Sequence, residues 1–171
     1  MRYGMITNPW RNWGPVGERV SIPRQMEFQW GYLWAEADVL AGELNIWLLP
    51  EMNGAVVSKI VARMPEKWGE NLALVWDNAG AHKSAVKCLP DDMSVIFLPA
   101  YSPELNPVER FFQELRRRIA NRIFNSLREL EDALVEVVNE YFEDTQKVRQ
   151  LCGYPWIINQ LHPEKNGNLI F

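Results

Sequence analysis

Two cysteines and two histidines are all that this 171-residue chain holds of the side chains from which structural zinc sites are built. Cys88 and Cys152 form no CxxC pair and no zinc spacing, so they read as buried thiols of a cytosolic protein. No stretch approaches the roughly 18 apolar residues of a membrane span, and no signal-peptide pattern opens the chain. Repeats and low-complexity segments are absent. A large positive charge is missing too: the net charge is −4, which argues against a protein that simply coats nucleic acid. These absences predict a soluble cytoplasmic protein with no membrane partner.

What is present is a globular composition, 47% hydrophobic and 23% charged, with eight tryptophans to fill an apolar core. The length suits one domain, residues 1–171, with a single well-buried core. One local basic patch stands against the negative balance. Arg110, Arg116, Arg117, Arg118 and Arg122 crowd into a short stretch. They are either a DNA-binding surface or a solvated helix face, and residue order alone does not separate the two.

"RVSI" (19–22), "FQWGYLWA" (28–35) and "ELNIWLL" (43–49) are short aromatic or β-branched runs and predict strands, with "ADVLAG" (37–42) as a hairpin connection. Val56, Ile60, Val61 and Met64 recur at helical spacing and predict a helix over 55–67. Leu72 to Trp76 form a nearly continuous apolar run, as expected of a strand buried on both faces. "MSVIFL" (93–98) predicts another strand. The last third, about 106–152, reads as helical. Phe112, Leu115, Ile119 and Ile123 make one apolar stripe. "SLRE" (126–129) is a capping box, opening a helix with Leu127, Leu130, Leu134, Val138 and Tyr141 on one face. This order of elements predicts an α/β domain with a mixed sheet.

Two acids stand out. Asp77 ends the buried strand, where open α/β sheets place their ligand sites. Its other reading is a turn-forming aspartate that caps Asn78–Ala81. In "SPELNPVE" (102–109), Asn106 is the expected N-cap, Pro107 the first helical residue and Glu109 the third. The Glu109 carboxylate can then reach back to the backbone N–H of the cap. A functional reading of Glu109 needs a partner, and the order of elements supplies Asp77. Two hard carboxylates converging from a strand end and a helix start suit Mg²⁺ or Mn²⁺. Two such ions would serve phosphodiester chemistry.

"VWDNAGAHKS" (75–84) followed by "IFLPAYSPELNPVERFFQELRRRIANRIFNSLRELEDAL" (96–134) resembles the catalytic domain of DDE transposases, in the bacterial insertion-sequence branch of the Tc/mariner superfamily. "WGPVGERV" (13–20) and "WIINQL" (156–161) extend the resemblance over nearly the whole chain. It implies a ribonuclease-H-like mixed sheet flanked by helices. It also implies three acidic residues binding two divalent metals, and cleavage and joining of DNA at insertion-sequence ends. Asp77 resembles the second acid and Glu109 the third, both catalytic and both metal ligands. Asn78, His82, Pro103, Asn106 and Pro107 match positions that shape the site. Homodimers and association with the nucleoid come with the same resemblance.

The first acid has no counterpart. In relatives, a segment resembling Met1-Arg2-Tyr3-Gly4 follows that aspartate directly, yet here no Asp precedes Asp38, and Glu18 and Glu27 do not match. The expectation is an amino-terminally truncated chain with the first strand missing. Its neighbours' edges would then be exposed unless another chain fills the gap. Such a chain is expected to be inactive alone, and its partner would be a separate or frameshift-fused amino-terminal portion. Two alternatives remain open: a non-catalytic DNA-binding or dimerising remnant using the arginine-rich helix, or another ribonuclease-H-like nuclease.

Overall fold

The computed structural model describes residues 1–159 and 168–171. Strands β1 (Arg2–Ile6), β2 (Met26–Asp38) and β3 (Glu43–Leu49) form an antiparallel sheet in that order. Period-2 alternation along β2 serves two cores at once. Leu33 and Ala37 face one core, while Trp34 faces the other. The β2–β3 turn falls where "ADVLAG" predicts it. There the Asp38 carboxylate accepts the N–H groups of Leu40 and Ala41 at 2.9 and 2.8 Å.

Helix α1 (Gly54–Val61) begins at Asn53, whose side chain accepts the Val56 N–H. The single helix expected over 55–67 is broken after Val61 and resumes as α2 (Met64–Trp68), because Pro65 has no N–H to continue the ladder. Then come β4 (Leu72–Trp76), α3 (Gly80–Ala85) with a trailing 3₁₀ turn, and β5 (Ser94–Phe97). A 3₁₀ turn at Pro103–Leu105 precedes α4 (Pro107–Ile119), α5 (Leu127–Phe142), α6 (Thr145–Cys152) and α7 (Pro155–Ile158). The last element is β6 (Asn168–Ile170). Helices α4, α5 and α6 pack on one face of the strands through Phe111, Leu115, Leu134 and Val148. Helices α1 and α2 pack on the other through Val57, Val61 and Met64. This is a mixed α/β arrangement of two three-stranded sheets flanked by helices, consistent with a ribonuclease-H-like domain.

Several expectations need correction. "RVSI" forms no strand, because Pro23 removes a donor just beyond it; the strand is Arg2–Ile6 instead. Ile123 leaves the apolar stripe and is 49% exposed, since α4 stops at Ile119 and Ala120 turns to extended backbone. Cys152 is buried, but Cys88 is exposed. Trp34, Trp68 and Trp76 belong to the core, whereas Trp13 is 97% exposed. Gln160 and Leu161 of "WIINQL" lie outside the described residues. Among the described residues, no helix is long and apolar enough to cross a membrane.

The second sheet has the order β5-β4-β6, with both pairings parallel. Strand β6 also joins the two sheets: Phe171 and Ala37 exchange backbone hydrogen bonds at 3.0 and 2.8 Å. The edges expected to stand open are therefore partly closed, by residues 168–171 of the same chain. Met1 and Leu33 form a second reciprocal pair along the same edge of β2. Strands β6 and β1 thus lie head to tail beside β2. Between the two pairs, antiparallel alternation leaves Ala35 with its N–H and C=O turned into a gap.

Candidate active site

Asp77 immediately follows β4, and its Oδ1 lies 2.6 Å from Nδ1 of His82. The same oxygen accepts the Ala79 N–H at 2.9 Å, which is the turn-capping role. Oδ2 has no hydrogen-bond partner among the described residues, and the side chain is about half exposed. The turn-capping role of Asp77 thus occupies Oδ1 and leaves Oδ2 unbonded. The His82 bond, helped by the Ala79 N–H and opposed by partial burial, holds the Asp77 carboxyl below the usual carboxylate range. His82 itself is wedged between tryptophans. Its ring stacks on Trp76 at 4.9 Å and meets Trp34 edge-on at 5.3 Å.

Glu109 is the third residue of α4. Asn106 caps the helix by accepting the Val108 N–H at 3.1 Å, and Pro107 takes the first position. The return bond expected from Glu109 to the cap does not form. The Asn106 N–H instead donates to the Pro103 carbonyl, closing the 3₁₀ turn before the helix. The Glu109 backbone N–H donates to the Asn106 carbonyl at 3.1 Å, and its carboxylate is left without a hydrogen bond among the described residues. Asn78 donates to the Leu98 carbonyl at 2.6 Å and ties the end of β4 to the end of β5. Asn78, Pro103, Asn106 and Pro107 thus hold the two acid-bearing segments, and His82 holds Asp77.

Two cavities, of about 200 and 410 Å³, meet at this place, and both are lined by Asp77, Ala79, Asn106 and Glu109. The smaller one is the gap in the sheet, walled by Trp34, Ala35 and Glu36 of β2 and bracketed by Met1 and Phe171. The Met1 amino group donates to the Leu33 carbonyl at 2.6 Å. Burial lowers its pKa to about 6, with Glu109 and Asp77 pulling it up and Arg116 pushing it down. The larger cavity opens past Lys83 and Tyr101. Tyr101 sits fully exposed on its rim in the left-handed region, φ 60°.

One site residue went unread in the sequence. Glu36 is 1% exposed and accepts three N–H groups: Trp34 Nε1 at 2.8 Å, Trp68 Nε1 at 2.7 Å and Asn45 Nδ2 at 2.9 Å. Burial raises its pKa, and those bonds hold the rise back. Through Trp34 it fixes the wall on which His82 rests. The available signal was a carboxylate two residues from Trp34 on the same face of an apolar strand. Among the described residues, no three His, Cys, Asp or Glu side chains are grouped to hold a metal. The site brings Asp77 and Glu109.

The five arginines separate into two groups. Arg117 pairs with Glu114 through two bonds at 2.7 and 2.6 Å, and Arg118 pairs with Glu140. Arg110 donates to the Tyr154 hydroxyl at 2.7 Å and lies over its ring. Arg116 and Arg122 make no ion pair among the described residues.

A family model for DDE superfamily endonucleases matches residues 2–131, most of the chain and all of the segments that carry Asp77 and Glu109. The chain belongs to the DDE superfamily endonucleases. It is 26% identical over 130 residues to an uncharacterized protein, y4pE/y4sA, of Sinorhizobium fredii (strain NBRC 101917 / NGR234), covering 74% of this chain and 96% of that protein. No solved structure matches it significantly. DDE superfamily endonucleases act on DNA and depend on divalent metals. The donor set fits that chemistry, because the free Asp77 Oδ2 and the unbonded Glu109 carboxylate are the hard oxygens that Mg²⁺ and Mn²⁺ accept alongside water and phosphate. Helices α6 and α7 and strand β6 lie beyond the matched span.

Proposed function

We propose that this chain is the catalytic domain of a Tc/mariner-like insertion-sequence transposase, which cuts DNA at element ends and joins it to a target. The observation that carries the reading is the convergence of Asp77 and Glu109 on two shared cavities. Both would hold Mg²⁺ or Mn²⁺, two ions in the complete site, with His82 fixing which Asp77 oxygen is free. Bound divalent ions supply an activated attacking oxygen and charge stabilisation at the leaving oxygen. The place for a third carboxylate is the sheet gap between Phe171 and Met1. With two acids, residues 1–171 alone are expected to be inactive or nearly so. DNA and a second copy of the chain are the proposed partners.

The test is metal binding followed by cleavage. Mn²⁺ added to the isotope-labelled chain should broaden the amide signals of Ala79 and Glu109, and Asp77→Asn and Glu109→Gln should each weaken that broadening. Any nicking of element-end DNA should disappear in both variants. Unchanged broadening and unchanged nicking would refute the assignment. The two-acid count favours a second reading, a non-catalytic DNA-binding remnant. It predicts metal-independent binding with a steep salt dependence and no broadening at the acids.

A further inference from the structure

A third cavity, of about 210 Å³, runs along β1 beside the second half of α4. Strand β1 is at the end of its sheet, so one of its edges has no strand neighbour among the described residues. Met1 pairs reciprocally with Leu33, and the register aligns Tyr3 with Gly31. Antiparallel alternation then turns the N–H and C=O groups of Arg2 and Gly4 away from β2, and both residues line this cavity. Arg116 and Arg122 line the opposite side. Arg122 is steadied over the Phe124 ring at 4.9 Å. Glu131, the carboxylate on α5 bonded by the Tyr3 hydroxyl at 2.7 Å, does not line the cavity.

The geometry points to a phosphate-binding subsite here: the guanidinium groups of Arg116 and Arg122, with the outward N–H groups of Arg2 and Gly4, take a phosphodiester of the nucleic-acid strand whose reacting phosphate lies at Asp77 and Glu109. Two arginines lining a cavity with two outward backbone N–H groups supply the donors of a concave anion site. Its place relative to the acids fits one continuous strand. Arg116 is seven residues after Glu109, two turns along the same helix face and about 10.5 Å along the axis. Met1 lines both this cavity and the sheet gap, so the two adjoin. Arg117, Arg118 and Arg110 are held by Glu114, Glu140 and Tyr154, which leaves Arg116 and Arg122 to meet the backbone. The assignment of the neighbouring phosphate rests on the nuclease reading above; the anion site itself does not.

The experiment is fluorescence anisotropy of a labelled element-end duplex with the full chain, in EDTA, across a salt series. Arg116→Gln with Arg122→Gln should weaken binding about tenfold or more and lower the slope of log affinity against log salt by about two. Arg117→Gln with Arg118→Gln should leave affinity within about twofold. The double lysine variant, Arg116→Lys with Arg122→Lys, keeps the charge and should keep the slope, which separates charge loss from misfolding. In the unmutated chain, the Arg2 and Gly4 amide signals should shift on adding either inorganic phosphate or the duplex. Shifts with phosphate alone, an unchanged slope in the first pair, or an equal loss in the second pair would each overturn the proposal. Because EDTA removes metal, failure at Asp77 and Glu109 leaves this readout intact.

Discussion

Replacing Glu36 by leucine removes the carboxylate that accepts two buried indole N–H groups, of Trp34 and Trp68, and the part-buried amide of Asn45. Each buried donor left without a partner costs about 1–3 kcal/mol, so the two indoles together cost about 2–6 kcal/mol. Leucine returns roughly 2 kcal/mol through apolar burial. The net loss of up to about 4 kcal/mol is a large share of the about 5–15 kcal/mol that stabilises a typical domain. Glu36→Gln is the finer probe, because it removes the ionisable group and keeps one acceptor oxygen. A carboxyl whose pKa is raised in the folded state contributes stability below its unfolded value, and that contribution is lost as pH climbs toward the folded value. Glutamine cannot ionise, but its NH2 must face an N–H where the carboxylate accepts, so the variant should be less stable than the wild type near pH 4. It should gain on it at higher pH, at up to about 1.4 kcal/mol per unit within the window. Urea unfolding followed by tryptophan fluorescence from pH 4 to 8 measures both variants. If Glu36→Leu unfolds at the wild-type midpoint, or Glu36→Gln loses ground as pH rises, the bonding scheme around Glu36 is wrong.

Other perturbations test neighbouring parts of the structure. His82→Ala should raise the Asp77 carboxyl toward its ordinary value, seen by carbon NMR titration. The stability that the wild type loses as pH falls through the depressed value should shrink, by under about 1 kcal/mol because the carboxylate is half exposed. Ile170→Ala should cost about 2–5 kcal/mol in thermal or urea melts, since Ile170 is 1% exposed in the core beside β4; an unchanged midpoint would mean that β6 does not pack there. Burial pushes the Cys152 thiol up to about 12, so a disulfide reagent should label Cys88 alone in the native protein and both thiols after unfolding. Rapid native labelling of both would contradict the packing of α6.

The two acids were legible because their evidence is local. "LALVWD" shows a buried strand ending in a carboxylate, and "NPVE" shows a cap, a first-turn proline and a third-position acid. Their convergence followed from element order. The fate of Glu109's carboxylate did not, because the cap's N–H is claimed by Pro103 from outside the helix. Strand β1 was missed since "RYGMI" is short and interrupted by a glycine; its existence depends on β2 as a neighbour. Strand β6 is three residues long and has no periodicity to read. Glu36 and the arginine pairings depend on partners far away in sequence, Trp68 for the first and Glu140 and Tyr154 for the second. Such contacts exist only once the chain is folded.

Strand β6 also sets the order in which the molecule assembles. Pairing residues 72–74 with 168–170 closes a loop of about a hundred residues. Contacts of that span form late, and parallel pairing slows them further. Until β6 arrives, Leu72, Leu74 and the open edge of β2 at Ala37 stay available to any extended chain. At high concentration the nearest one is β6 of another copy, whose arrival would exchange the strand between molecules and link them in pairs. Refolding yield should therefore fall with protein concentration, and the wall of the acid-lined cavity would be completed by a neighbour's Phe171.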